Sequence, residues 1–471
     1  MSELMKWNFA TRAETYRSMA MIAGRVVKLA LSGTKTRPLG PDGRKWWQKA
    51  GVCVQYQIEK RPDVGWDRDY IEFNKSMADD AGNLKFNGPY CKIEDWVALS
   101  KKIGVDYHSF ETKWHDGICW FNTGLTNWKT EVDYAGKFAE LSRKENITFI
   151  YYYSSVFDHS PQFDSIQPDP HITPSFLGLL PEEKYRIYRE YLLGHYDEII
   201  GQYRPNGIWL DWWWADKTTK DSIAFLRRKH PDVVLAFNLS SMFFSSHKDQ
   251  HFSSGEAHAL DGPFIGKREE AGGIISVLTS TWKWANLYRM MFTHPWELIT
   301  PTSVWWQDMK LREDIYEFVR QAAVVMACSG KFACGTPALM DGSLDPDHIR
   351  QLETLGEWYI PRKELFLGAY PIRYLGFAPG GLLVDKQDFN TVACFYRDGV
   401  LLHTINMKGK SQRLEITLKG SKWKAIKSAY LEPGHRSLEI EIRGHNRLIV
   451  VPQGDVDNID TMIYLPGINA L

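Results

Sequence analysis

No sign of charge predominates in this chain: 57 Lys and Arg residues balance 57 Asp and Glu across 471 residues. With no net field to attract polyanions, nucleic acid and an anionic membrane surface are excluded as partners. No run of 18 apolar residues is present, so nothing reads as a membrane-spanning helix. The N-terminus carries Glu3, Arg12, Glu14 and Arg17, and the later stretch 19–31 is interrupted by Arg25 and Lys28. That is a poor secretory leader and points to the cytoplasm. A chain whose leader had been trimmed would read the same way and be periplasmic or secreted. Cysteines are few and form no CxxC pair: Cys53, Cys91, Cys119, Cys328, Cys334 and Cys394. Three of them lie in apolar runs, so they read as buried free thiols rather than a disulfide or zinc framework. His115, His159, His251 and His258 are too scattered for a helix-spaced ligand set, and no metal or other cofactor is expected. Internal repeats and low-complexity segments are absent.

Aromatic residues are what the chain has in quantity, 14% of the total with 19 Trp. Several fall in loops after strands, where stacking on the C–H faces of sugars would explain them as well as core packing does. The length accommodates one barrel of about 250 residues or more plus a second domain.

From Trp46 onward short apolar runs alternate with amphipathic helical stretches. Strands are expected at 51–57, 105–110, 147–153, 207–211 and 233–238, and helices at 94–103, 131–145, 181–203 and 217–230. That rhythm predicts a (β/α)8-like TIM barrel, with a doubly wound open sheet as the alternative. Beyond Gly255 the signal weakens to a piece at 272–278 and helices at 311–328 and 346–359. Near residue 368 the texture changes to short strands at 381–385, 391–396, 400–406, 413–418, 424–430, 437–442 and 448–451, which read as an antiparallel β-sandwich. The expected division is therefore an N-terminal segment 1–40 with no assigned role, a catalytic barrel 41–367 and a sandwich 368–471.

Four blocks at strand ends carry candidate chemistry. In Gly207-Ile208-Trp209-Leu210-Asp211-Trp212-Trp213-Trp214 an apolar strand delivers one carboxylate among four indoles. Burying even a neutral polar group costs roughly 2–7 kcal/mol without a partner, so Asp211 is either functional or a cap on the turn Ala215-Asp216-Lys217-Thr218. Catalytic side chains concentrate at the C-terminal ends of barrel strands. The block Glu111-Thr112-Lys113-Trp114-His115-Asp116-Gly117-Ile118-Cys119-Trp120 would lie on the same rim. His115 there is a hydroxyl or carboxylate partner, Trp120 and Trp128 offer stacking surface, and His115 with Asp116 merely closing the turn is the competing reading. Tyr151-Tyr152-Tyr153 leads into Asp158 and His159, phenol and imidazole groups suited to hydroxyls. In the block 251–258, read as a βα loop, Glu256 is the candidate proton donor.

Together these blocks resemble the α-L-fucosidases of the retaining glycoside hydrolase type, from about Trp46 to Leu465. That family's Lys-His-His-Asp-Gly turn is similar to Lys113-Trp114-His115-Asp116-Gly117, and its nucleophile strand is similar to Pro205-Asn206-Gly207-Ile208-Trp209-Leu210-Asp211. Ser254-Gly255-Glu256 resembles the segment carrying the acid/base in many members. Asp341-Gly342-Ser343-Leu344, the helix end Leu355-Gly356-Glu357-Trp358 and the stretch 457–465 resemble the barrel-closing segment and the appended sandwich. The sugar-binding residues diverge. Gln55-Tyr56 stands where the family has His-Trp, Trp114-His115 where it has two histidines, and Leu239-Ser240-Ser241 where an Arg is expected.

The resemblance implies an exo-acting retaining hydrolase that removes a terminal α-L-fucosyl or fucose-like residue from an oligosaccharide or glycoside, with Asp211 as nucleophile and Glu256 as acid/base. Asp158, Glu269 and Glu297 are the other candidate acids. Hydrogen bonds from Trp209, Trp114 or His115 are expected to keep Asp211 ionised. Gln55, Tyr56, Trp66, Trp114, His115, Trp120, Tyr153 and Trp209 are the expected sugar contacts. Other α-linked sugars, such as L-galactose or a sulfated algal residue met by Lys113, Lys217 or Arg268, form the nearest alternative. A non-catalytic carbohydrate-binding protein is the alternative of another class. Self-association into a homo-oligomer is left open.

Overall fold

A computed structural model describes residues 45–58, 77–85, 91–155, 158–163, 182–211, 216–238, 250–256, 295–303, 310–311, 314–339, 341–372, 389–406, 409, 413–419 and 423–467. Eight parallel strands close into a barrel: β1 (Val52–Gln57), β2 (Tyr107–Lys113), β3 (Thr148–Ser154), β4 (Gly207–Asp211), β5 (Val234–Asn238), β6 (Phe252–Glu256), β7 (Trp296–Pro301) and β8 (Lys331–Pro337). Closure comes from β8 pairing with β1 over Val52↔Phe332 to Gln57↔Pro337, which sets aside the open doubly wound sheet.

Helices cover the outside: α1 (Ile93–Lys102), α2 (Tyr134–Lys144), α3 (Glu182–Tyr203), α4 (Asp216–Lys229), α5 (Ile315–Ala327) and α6 (Pro346–Tyr359). Their sequences explain their ends. In α1 Glu94 and Asp95 occupy the first turn and Lys101 and Lys102 the last, matching the helix dipole, while Ile93, Trp96, Val97 and Ser100 supply its buried stripe. Asp133 caps α2 by accepting from Gly136 N, and Asp345 caps α6 ahead of Pro346. Helix α5 starts at Ile315 rather than 311 because Asp314 supplies its cap, accepting from Tyr316 N.

Because both faces of the barrel strands are covered, β3, β4 and β5 read as apolar runs without alternation. The structure assigns the faces. Cys53, Tyr107, Ile150, Tyr152, Trp209, Val234, Ala236, Phe252, Ile299 and Ala333 pack together inside the barrel. The intervening Val54, Tyr56, Phe110, Tyr151, Tyr153, Ile208 and Leu210 pack outward with the helices. The N-terminal end of the barrel is stopped by a short helix, Trp46–Lys49, with Trp46 against Tyr107 (5.6 Å) and Trp47 against His251 (5.0 Å).

Strands β6 to β8 were not expected from the sequence. Alongside the apolar Phe252, Ile299 and Ala333 they place polar side chains inward, which neighbours satisfy. Ser254 Oγ donates to Glu297 Oε1 at 2.7 Å, and Lys331 Nζ donates to Trp296 O at 3.2 Å beneath the Phe252 ring.

After the barrel, β9 (Ala369–Pro371), β10 (Phe389–Tyr396), β11 (Gly399–Asn406), β12 (Leu414–Leu418), β13 (Ala429–Glu432), β14 (Arg436–Arg443), β15 (Asn446–Val451) and β16 (Asp460–Pro466) form one antiparallel sheet in the order β12-β15-β14-β13-β16-β11-β10-β9. The sheet curls so that its two halves enclose a common core. Val400, Leu402, Ile463 and Leu465 of one half meet Leu414, Ile416, Ile449 and Val451 of the other. The strand expected at 424–430 starts only at Ala429, because Arg447 binds the Lys424 and Ile426 carbonyls and holds the preceding stretch out of the ladder. The pieces expected at 272–278 and 381–385 lie outside the described residues. Among the described residues no helix is long and apolar enough to cross a membrane, and all six cysteines are buried and outside any disulfide.

Candidate active site

Asp211 is the last residue of β4 and faces the barrel interior, 7% exposed. Its carboxylate is held from two sides: Tyr152 OH donates to Oδ2 at 2.6 Å, and Asn238 Nδ2 donates to Oδ1 at 2.7 Å. Tyr152 is aimed by stacking on Trp209, at 5.3 Å between ring centres and 25° between planes. Asn238 ends β5, the strand next to β4. Hydrogen bonds of this kind favour the ionised carboxylate and fix its orientation.

His115 lies beside the same group, Nε2 3.8 Å from Asp211 Oδ2, with Nδ1 2.7 Å from Ser154 Oγ. Burial, helped by His159 and Lys113, lowers its pKa well below the usual histidine value. A neutral imidazole at 3.8 Å makes neither an ion pair nor a hydrogen bond with the carboxylate. Trp114 stacks on His115 at 4.4 Å and 23°.

The rim is built by the turn after β2. Asp116 closes it, accepting from Ile118 N at 2.9 Å, and Gly117 takes φ of +78°, a conformation that favours glycine. Lys113 is fully buried and pairs with Asp158 at 2.9 Å beneath the Tyr153 ring. Its charge is thus directed into the protein rather than toward a bound sulfate. The Lys217 side chain and Arg268 lie outside the described residues.

Glu111, inward on β2, is a second carboxyl at this end. Its Oε2 accepts from Ile58 N at 2.8 Å, Gln55 also bonds it, and burial with the charges of Asp116 and Asp211 pushes its pKa up to about 8. A separate polar knot lies deeper. Glu297 Oε1 accepts from Trp209 Nε1 at 3.1 Å and from Ser254, and Tyr107 OH bonds its other oxygen. Burial depresses the Lys331 pKa to about 7 against the pull of Glu297.

Several expectations require correction. The Trp209 indole serves Glu297 rather than Asp211, and Tyr152 and Asn238 donate to Asp211. Tyr56 and Tyr153 face outward: Tyr56 OH reaches Ser100 Oγ of α1 at 2.7 Å, and Tyr153 OH reaches His195 Nδ1 of α3 at 2.7 Å. Trp120 and Trp128 are enclosed in the core, Trp120 against Tyr134 and Trp128 donating to Asp116 O, and neither presents a ring face for stacking. Glu256 ends strand β6 rather than lying in a loop, two positions beyond Ser254 and at the same end of the barrel as Asp211. Asp158 and Glu297 are committed to internal partners. Trp66, Glu269, Trp212, Trp213, Trp214 and the segment 239–241 lie outside the described residues.

Tyr152 and Asn238 escaped the sequence reading for different reasons. Three consecutive tyrosines hide which one faces inward until the β3–β4 register, Tyr152↔Trp209 and Ser154↔Asp211, is known. Asn238 did carry a signal, a polar residue closing the apolar strand Val-Leu-Ala-Phe-Asn, as Asp211 closes β4.

The fold and the family are shown by comparison with known proteins. The chain resembles in fold the Thermotoga maritima α-fucosidase (17% identity, TM-score 0.61, covering 91% of this chain and 97% of that one). It likewise resembles α-L-fucosidase isoenzyme 1 from Paenibacillus thiaminolyticus (16%, 0.62, 89% and 97%) and a bacterial fucosidase bound to a phenyl-triazole pyrrolidine inhibitor (15%, 0.65, 93% and 98%). A search of the curated proteins gives no match. The α-L-fucosidase family model matches residues 67–363, more than half of the chain. This chain therefore belongs to the α-L-fucosidase family and is a glycoside hydrolase.

Proposed function

We propose that the protein is an exo-acting retaining hydrolase of terminal α-L-fucosyl or closely related residues, with Asp211 as nucleophile and Glu256 as acid/base. The observation that carries this reading is the Asp211 carboxylate, inward at the end of β4 and hydrogen-bonded on both oxygens by Tyr152 and Asn238. Each carboxylate oxygen has two acceptor sites, so both bonds leave a lone pair for attack.

In the first step an Asp211 oxygen attacks the anomeric carbon as the bond to the leaving group breaks, and Glu256 gives its proton to the departing oxygen. In the second, Glu256 takes a proton from water, which attacks the same carbon and releases Asp211. Two inversions give net retention. Retaining pairs stand about 5–5.5 Å apart, which requires both residues at one end of the barrel, where β4 and β6 end. Neutral His115 and Trp114, beside Asp211, are sugar contacts in this reading.

The test is D211A on an aryl α-L-fucoside, with proton NMR of the first-released anomer. We expect a loss on the order of 10⁴-fold or more, partly rescued with inversion by azide. Undiminished turnover refutes the nucleophile. E256Q is expected to harm poor leaving groups far more than good ones, and an equal loss on both removes Glu256 from its role.

A further inference from the structure

Beside Gln55, already an expected sugar contact, the inward face of β1 and its neighbour β2 carry two polar side chains that the reaction above does not use: Gln57 and Glu111. Their placement follows from strand alternation. Cys53 lies in the interior cluster and Tyr56 points to α1, so Gln55 and Gln57 share the Cys53 face. All three are at least nine-tenths buried. Glu111 is tied by Ile58 N and by the Gln55 side chain. Gln57 Oε1, by contrast, has no hydrogen-bond partner among the described residues. A buried acceptor without a donor is uncommon in a folded protein and calls for an explanation. Glu111 adjoins Tyr152 in the β2–β3 register, and Tyr152 is the residue that holds Asp211.

We propose that Gln57 and Glu111 add a hydroxyl-binding subsite, next to Gln55, for the sugar held against Asp211, in which Gln57 Oε1 accepts a sugar O–H and Glu111 donates to a sugar oxygen. This rests on the reading of Asp211 as the nucleophile. The subsite takes a neutral hydroxyl rather than a sulfate or carboxylate. The charged groups acting on Glu111 are Asp116 and Asp211, both acidic, and the nearby Lys113 is spent on Asp158. An anionic substituent here would meet like charge, with no cation among the described residues that act on Glu111 to offset it. The raised Glu111 pKa, about 8, agrees with the donor role, since the carboxyl is then neutral at neutral pH and loses its O–H above that value.

The experiment compares kcat/KM for aryl α-L-fucosides with good and poor leaving groups and for their monodeoxy analogues in wild type, E111A, E111Q and Q57A, with circular dichroism and thermal unfolding to confirm folding. E111A and Q57A should each lose about 10- to 100-fold on the parent glycoside and little on the one analogue lacking the bound hydroxyl. E111Q, which keeps a neutral donor, should lose less than E111A and abolish a basic limb near pH 8. Equal losses on every analogue overturn the subsite and leave a structural role. A loss confined to poor leaving groups overturns it too, by making Glu111 the proton donor. Normal turnover by D211A would instead remove the underlying reading, whatever the Glu111 variants do.

Discussion

Asn238 Nδ2 stands 2.7 Å from Asp211 Oδ1, an amide on one strand end holding a carboxylate on the next. Removing that donor with N238A should lower kcat/KM by about 10- to 100-fold while leaving the fold intact. N238D puts a like charge in its place, which disfavours ionisation of Asp211 and should move the acid limb of the kcat/KM profile to higher pH. A pH–rate series on the three proteins reads both effects, and superimposable profiles would show that Asn238 does not act on Asp211.

The Lys113–Asp158 pair is fully buried at 2.9 Å. Breaking it with K113M strands the carboxylate and should reduce unfolding free energy by about 3–5 kcal/mol, whereas K113M/D158L should recover much of the loss. Urea unfolding of the two variants, together with kcat/KM of K113M/D158L, distinguishes a structural ion pair from one whose charge is needed for activity.

Gly117 is confined to φ of +78°, and a Cβ there would stand 2.4 Å from Asp158 Oδ1 and 2.8 Å from Ser160 N. The left-handed conformation alone disfavours alanine by about 1–2 kcal/mol. G117A should therefore destabilise by at least that amount and disturb the turn carrying His115. Wild-type stability together with wild-type KM would mean the turn relaxes without strain.

At the junction of barrel and sheet, His403 Nδ1 lies 2.8 Å from Asp460 Oδ2, both side chains fully buried. Burial works against the imidazolium, but Asp460 and Cys394 outweigh it and raise the His403 pKa to about 10. A raised folded pKa gives stability that is complete below the unfolded value, about 6.5, and is lost as pH rises through the folded one. Lys331, depressed to about 7, acts in the opposite direction across much of that window. The difference between wild type and D460N is thus the quantity to read. D460N should be less stable near pH 7, and the gap should narrow toward pH 10. A constant gap in thermal midpoint would count against a charged His403.

Much of the barrel's first half was legible because β3, β4 and β5 are apolar on both faces and its helices have clear ends, as in the opposite charges at the two ends of Ile93–Lys102 and the Asp133 cap of Tyr134–Lys144. The second half was not. Phe252–Glu256 and Lys331–Pro337 contain Ser, Gly, Lys and Pro, residues with low strand preference, and are strands only because neighbours already in the barrel pair with them. For the candidate site, the ends of β4 and β2 were legible as a carboxylate and an imidazole closing apolar runs. The facing of each tyrosine and tryptophan was not, since Tyr56, Trp120 and Tyr153 turn away from the barrel axis while Tyr152 turns toward it.

By itself the sequence determined that an apolar strand would deliver Asp211 into a barrel, because so costly a burial is recorded in the residues flanking it. It also determined that all six cysteines would be buried outside any disulfide. Only the tertiary structure decided which groups attend that carboxylate. Tyr152, Asn238, His115 and Glu111 come from different strands and loops, and the register between strands, which sets who faces whom, arises from barrel closure rather than from any local run of residues.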